Sequence, residues 1–398
     1  MIELAFRSQA HTEEMIIVSS RPRRGVSGLC ARGRWLPLVA IAALAVALLS
    51  HPQARPAYTA TAPVGLVDYT QTDEADTNLA LNSQGTRGAN RAATPRSWPV
   101  PGFVQGDIYV HDPSMVKIGT QYMVVSTHDQ IQVRTSPDRI NFQRQGPAFN
   151  QIPAWWSRFN SSNDVWAPDV SFHNGKYWLY YSVSSFGSNY SAIGLATSDT
   201  GLPGSWVDTG KPIFTSPYPG YDFNAIDPNL LVDKDGKWWL TFGSFRLGIY
   251  MIALDPQTGK PSTTDTRIRH LAQRLHVWPD PVEAPFVYYK DGYYYLFVSF
   301  DYCCKGVNST YSIHFGRSTT PDGPYIDQAG RNMIGDGGTT LLATHDTWVI
   351  GPGGQSVMHD DADNHDLLIY HYYDGRANGA NKLGINYLGW NNGWPYVY

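Results

Sequence analysis

The chain has 398 residues and a formal net charge of −4, with only 16% of residues charged. That balance excludes the basic surface that nucleic-acid binding needs. No G-x-S-x-G elbow, phosphate-binding P-loop or H-E-x-x-H pair occurs, so serine-elbow acyl transfer, nucleotide hydrolysis and zincin chemistry lack their parts.

In chain order, residues 1–62 read as an export segment. An arginine-rich start (Arg21, Arg23, Arg24, Arg32 and Arg34) leads into the 14-residue apolar run Leu36–Leu49, with a small-residue cleavage pattern at Ala60-Thr61-Ala62. That run is shorter than the roughly 20 residues of a membrane span. The expected location is therefore outside the cytoplasm, secreted to the medium or the periplasm; an uncleaved signal anchor is the alternative reading, and Met15 is a second candidate start. Residues 63–100 are polar and patternless, and read as a flexible lead-in.

Residues 101–398 carry one pattern five times. An acid opens a stretch, an apolar run follows, then a Gly-containing turn, then a second alternating run: HDPSMVKIGTQYMVVS from Asp112, APDVSFHNGKYWLYYSV from Asp169, IDPNLLVDKDGKWWLTF from Asp227 and VEAPFVYYKDGYYYLFV from Glu283. The acids stand 57, 58 and 56 residues apart. A fifth copy, GPGGQSVMHDDADNHDLLIYHYYD, has Gly353 and Gly354 near the acid's place. Asp-Gly and Asn-Gly between alternating runs predict hairpins, and each copy adds a third strand and a turn. Five such units without helical signals predict an all-β, five-bladed β-propeller. In that fold, residues opening the first strand of each blade converge at one end of the axis, and crowded carboxylates raise one another's pKa.

Aromatic residues make up 13% of the chain, 25 Tyr and 13 Trp among them; such residues fill blades and also stack on sugar rings, and composition does not choose. Cys303 and Cys304 are adjacent, either a strained vicinal disulfide or two free thiols, without the spacing of a zinc site. His371, in IYHYYD, lies on an inner-strand pattern; it is either a hydrogen-bonded core histidine or a group coordinating a metal or water.

HDPS, WAPDV, AIDPNLL, VEAPF, FDYCCKG and GPGGQSV with HYYDG, in this order over 101–398, resemble family 43 glycoside hydrolases and, among them, endo-1,5-α-L-arabinanases. The resemblance implies an inverting hydrolase of arabinan or arabino-oligosaccharides, acting as a monomer, with Asp112 as general base, Glu283 as general acid and Asp227 tuning and holding the acid. It gives Asp169 no catalytic role and leaves it structural or substrate-lining, beside Trp166, Phe186 and Asn224 as substrate-binding positions. An exo-acting arabinofuranosidase or β-xylosidase, or a sugar-binding propeller without activity, are the alternatives. Many relatives carry His after Gly-Pro-Gly, where it holds an ion or water; this chain has Gly354. That leaves Gln355 and His371 as the candidates for a calcium site.

Overall fold

The computed structural model describes residues 98–398; the predicted export segment and residues 63–97 of the lead-in lie outside them. The described chain forms five sheets in sequence order, the five blades of a propeller, antiparallel apart from the short strand Gln105–Gly106. Their inner strands are Ser114–Ile118, Trp166–His173, Asn229–Val232, Val282–Lys290 and Val349–Asp360. Each runs directly into a second strand, at Gln121–Ser126, Lys176–Val183, Trp238–Phe242, Tyr293–Phe300 and His365–Asp374. No helix among the described residues is long and apolar enough to cross a membrane.

The predicted hairpins form where turn chemistry allows them. Asp291 and Gly292 both have positive φ (49° and 89°) between paired Lys290 and Tyr293, as do Asn174 and Gly175 (53° and 75°) between His173 and Lys176. These are the two left-handed residues that a tight two-residue hairpin requires.

Both faces of the second strands are apolar because each blade is packed on both sides. In blade two, Leu179, Tyr181 and Val183 meet Met123 and Val125 of blade one. The alternate residues, Trp178 and Tyr180, meet Leu230, Trp238 and Leu240 of blade three. The same alternation splits Tyr294, Leu296 and Val298 from Tyr295 and Phe297 in blade four. One buried cluster thus fills each joint, and Leu179→Ala at the first would cost about 2–5 kcal/mol.

The ring closes between blades five and one through Leu367, Ile369 and Leu383 against Met115, Tyr122 and Val124. Asp360, wholly buried, fastens that joint: it pairs with Lys117 (2.7 Å) and Arg139 (2.9 Å) and accepts from the Tyr122 hydroxyl (2.6 Å). The start of the propeller segment, residues 101–106, crosses the same joint. Gly102 N–H donates to Ile385 O (2.9 Å), while Gln105–Gly106 pairs in parallel with Asn141–Phe142 of blade one.

Around the axis the blades are joined by side chains that accept backbone N–H groups from the next blade. Ser114 Oγ accepts from Val170 N (3.1 Å), Asp169 Oδ2 from Leu230 N (2.8 Å) and Asn229 Oδ1 from Val287 N (2.8 Å). Between blades four and five the direction reverses, Gln355 Nε2 donating to Ala284 O (2.7 Å), and between five and one Ser356 Oγ donates to Pro113 O (2.9 Å), which completes the circuit.

That circuit corrects the sequence register. Asp112, Ala167, Asp227, Ala284 and Gly354 are the equivalent residues, all with φ between 45° and 57° and the first four each followed by Pro. Asp169 therefore matches Ser114 and Asn229, two places along from Asp112 and Asp227, and Glu283 stands one place before them, where blade one has His111. The acids were not in one register. Aligning carboxylates, which are free to drift along a strand, hid the repeat that the prolines mark.

Candidate active site

The left-handed residue at the head of each inner strand is held by a side chain in, or one residue past, the second strand of the preceding blade. Ala167 N–H donates to Thr127 Oγ1 (2.8 Å), Asp227 N–H to Ser182 Oγ (2.8 Å), Gly354 N–H to Ser299 Oγ (3.0 Å) and Asp112 N–H to His371 Nδ1 (3.1 Å). For residues other than glycine this backbone costs about 1–2 kcal/mol each, which these bonds offset. Blade four differs. Ala284 N–H goes to the Asp227 carboxylate (Oδ2, 3.0 Å), and Ser244, freed from that duty, donates its hydroxyl to Glu283 Oε2 (2.6 Å). The departure from the repeat brings Asp227 beside Glu283.

Asp112, Asp227 and Glu283 all line one cleft at a single end of the axis, a cavity of about 790 Å³. Its walls come from every blade, from the loop Phe186–Ser188 of blade two across to Gly379 and Asn381 of blade five.

The three carboxyls have different surroundings. Burial pushes Asp112 up, but His111, His371 and Thr127 outweigh it and hold the group well below the usual carboxylate range. His111 Nδ1 lies 2.8 Å from Asp112 Oδ2, and the Thr127 hydroxyl donates to the same oxygen at 2.7 Å. Asp227 is held well above its ordinary value by burial, then by the charges of Glu283 and Asp112. Burial also raises Glu283, against the hydroxyls of Ser244 and Tyr311 (2.6 Å to Oε1), with the charge of Asp112 adding to the rise. Both members of the Asp227–Glu283 pair are pushed up, so together they retain a proton near neutral pH. Ser244 and Tyr311, donating to Glu283, favour its ionised form and offset part of that rise.

Three of the predicted substrate positions face this cleft. Phe186 is 89% exposed, Trp166 is half-buried on the wall, and Asn224, which accepts from the Ser191 hydroxyl (2.6 Å), lies at its base. Asp169 does not: it is buried in the narrow axial channel beneath, bonded to Ser114 and Leu230. Burial pushes its carboxyl up to about 6, against those hydrogen bonds. Asp169 fastens blades one, two and three together and is no part of the substrate surface.

His371 is fully buried behind Asp112, and burial keeps its imidazole well below the usual range. Accepting Asp112 N–H at Nδ1 leaves the ring proton on Nε2, a buried atom without a hydrogen-bond partner among the described residues. An N–H offers calcium no lone pair, and the ion takes six to eight oxygens. The nearby donor set, His111, Asp112 and His371, contains one carboxylate. Gln355 is engaged by Ser299 (2.8 Å) and Ala284 O (2.7 Å). These residues do not fit a calcium ion held by His371.

Several groups at the site carry no mark in single-sequence reading: Tyr373 lies within a strand, and Thr127, Ser244 and Tyr311 one or two residues beyond strand ends, until the fold turns them to the mouth. The vicinal pair is a disulfide and lines the cleft.

The sequence profile of glycosyl hydrolases family 43 matches residues 105–395. An extracellular endo-α-(1→5)-L-arabinanase of Bacillus subtilis is 46% identical over 292 residues, 72% of this chain and 87% of its own. An extracellular exo-α-(1→5)-L-arabinofuranosidase of Cellvibrio japonicus is 37% identical over 302 residues, 72% of this chain and 86% of its own. Among solved structures, the endo-arabinanase of Bacillus licheniformis superposes with a TM-score of 0.68 at 45% identity, over 75% of this chain and all of that one.

Proposed function

We infer that this chain, which belongs to glycosyl hydrolases family 43, is a secreted enzyme cleaving internal α-1,5 bonds of arabinan with inversion. The observation that carries this reading is the placing of an ionised carboxylate, Asp112, and a proton-retaining pair, Asp227 with Glu283, around one cleft. Inversion needs a base on one side of the sugar and an acid on the other, roughly 6.5–9.5 Å apart, with room for water between. Blades one and four are not neighbours, which suits that span.

Asp112 takes the proton of the attacking water. His111 and Thr127 both engage Oδ2, leaving Oδ1 as the oxygen that receives it. Glu283 protonates the departing glycosidic oxygen, through a transition state with oxocarbenium character. Asp227, held by Ala284 N–H, discourages ionisation of Glu283 by its own charge and keeps the pair's proton available. Arabinan is uncharged, and Phe186 and Trp166 supply faces for its rings to stack on.

Endo action is supported by similarity to the two Bacillus endo-arabinanases, at 46% and 45% identity against 37% for the exo-acting relative; extracellular placement is supported by the export pattern and by the relatives' names. The protein acts as a monomer in this reading. Incubation with linear arabinan tests it. Short oligosaccharides as the first products support endo cleavage, arabinose or a single short product from the outset would make the enzyme exo-acting, and binding without release would leave a lectin.

A further inference from the structure

The vicinal disulfide stands at one end of a chain of hydrogen bonds that ends on Asp112. Cys304 N–H donates to the Tyr373 hydroxyl oxygen at 2.7 Å, and that hydroxyl lies 2.9 Å from His111 Nε2. His111 Nδ1 lies 2.8 Å from Asp112 Oδ2. The directions follow from the ends: an ionised carboxylate can only accept, so His111 carries its proton on Nδ1, and Nε2 then offers a lone pair to Tyr373 O–H. Cys304 Sγ is itself 3.7 Å from His111 Nε2, closing the imidazole in.

We propose that the Cys303–Cys304 disulfide is a positioning device for the base. It fixes the peptide N–H that orients Tyr373, and Tyr373, by its hydrogen bond to Nε2, fixes the ring position of His111. This rests on Asp112 being the base. The loop's other hydrogen bonds, Tyr302 N–H to Thr310 Oγ1 (3.2 Å) and Lys305 N–H to Ser309 Oγ (3.0 Å), hold its two flanks and leave the Cys303-Cys304 peptide between them to the disulfide. Cys304, exposed on the cleft wall, is open to reductants. Reduction adds two electrons and two protons to the S–S bond; with a water-soluble trialkylphosphine as donor, the phosphine becomes its oxide, taking oxygen from water. The two thiols then turn independently, and the N–H is no longer held on Tyr373.

The full chain is assayed on linear arabinan before and after phosphine treatment, with thiol content confirmed by mass. Reduction is expected to lower kcat roughly tenfold with KM unchanged, as loss of one positioning hydrogen bond would do, and reoxidation to restore it. Tyr373→Phe should show the same loss and no further response to reduction, because both act through one chain. The imidazole Nε2 15N shift of His111 reads its hydrogen bond to Tyr373 without substrate: one sharp shift when oxidised, a displaced and broadened one when reduced. The Cys303→Ser/Cys304→Ser variant repeats the reduced state should Tyr373→Phe fold poorly. Unchanged kcat in fully reduced protein, or a Tyr373→Phe enzyme that still responds to phosphine, overturns the proposal. Oxidised protein inactive on arabinan would overturn the hydrolase reading, while the 15N comparison would still decide the positioning.

Discussion

Gly354 and Asp112 are equivalent residues on adjoining blades, and a Cβ built on Gly354 would lie 2.5 Å from Asp112 Oδ1 and 2.8 Å from the His371 ring. No side chain fits there without moving the carboxylate. Gly354 also has φ of 57°, so glycine serves both the backbone and the close approach.

Gly354→Ala should therefore misplace Asp112 and lower kcat on the order of 100-fold, the usual consequence of an ångström-scale error in a reacting group. Circular dichroism should show the propeller intact. Wild-type kcat in this variant would mean that Asp112 is not held where catalysis requires it.

The Asp227–Glu283 pair makes two pH predictions of opposite sign. Glu283 works protonated, so activity falls as pH rises through its raised pKa. Asp227→Asn removes the neighbouring charge and should move the alkaline limb of kcat/KM to lower pH, by about one unit or more. Ser244→Ala removes a donor to the Glu283 carboxylate and should move the same limb upward. Full pH profiles of both variants check this; shifts in the same direction would contradict the arrangement.

Phe186 sits almost fully exposed at the cleft rim. Covering its ring with a sugar contributes about 1.5 kcal/mol by area, so Phe186→Ala should raise KM for arabinan about tenfold and leave kcat near the wild-type value. Steady-state kinetics on the polymer decide it.

Asp360 fastens blade five to blade one from a wholly buried position. Burial raises its pKa, but Lys117, Tyr122, Ala362 N–H and Arg139 together bring it below the ordinary value. A depressed carboxyl contributes stability that is present above its unfolded pKa and is lost as pH falls through the folded one. Asp360→Ala should cost about 3 kcal/mol at neutral pH, the low end for a broken buried pair, because Lys117 and Arg139 keep 31% and 20% exposure and can reach water. Denaturant titrations at pH 7 and in acid should show the gap from wild type narrowing toward low pH.

Much of this was legible in the chain itself. Alternation in YWLYYSV and YYYLFVSF, with Asn-Gly or Asp-Gly turns before them, dictates packed blades, because turn chemistry and period-two burial are local properties. The place of each acid was less legible. A one-residue offset separates Glu283 from Asp227 in the repeat, yet it is what puts the two carboxyls side by side, with Ser244 turned to Glu283. Asp169 looked like a fourth member of the group because its chain spacing is right; two residues along a strand carried it into the channel below. The partners of Asp112, namely Thr127, His111 and His371, come from two blades at opposite ends of the chain, and only ring closure brings them together.

The most direct test of the account is the anomeric form of the first product, read by proton NMR as linear arabinan is cut. With Asp112 delivering water opposite the bond that Glu283 protonates, the new reducing ends appear as the β-anomer and then equilibrate. Reducing ends that appear first as the α-anomer would mean retention, and would contradict the roles assigned to these two residues.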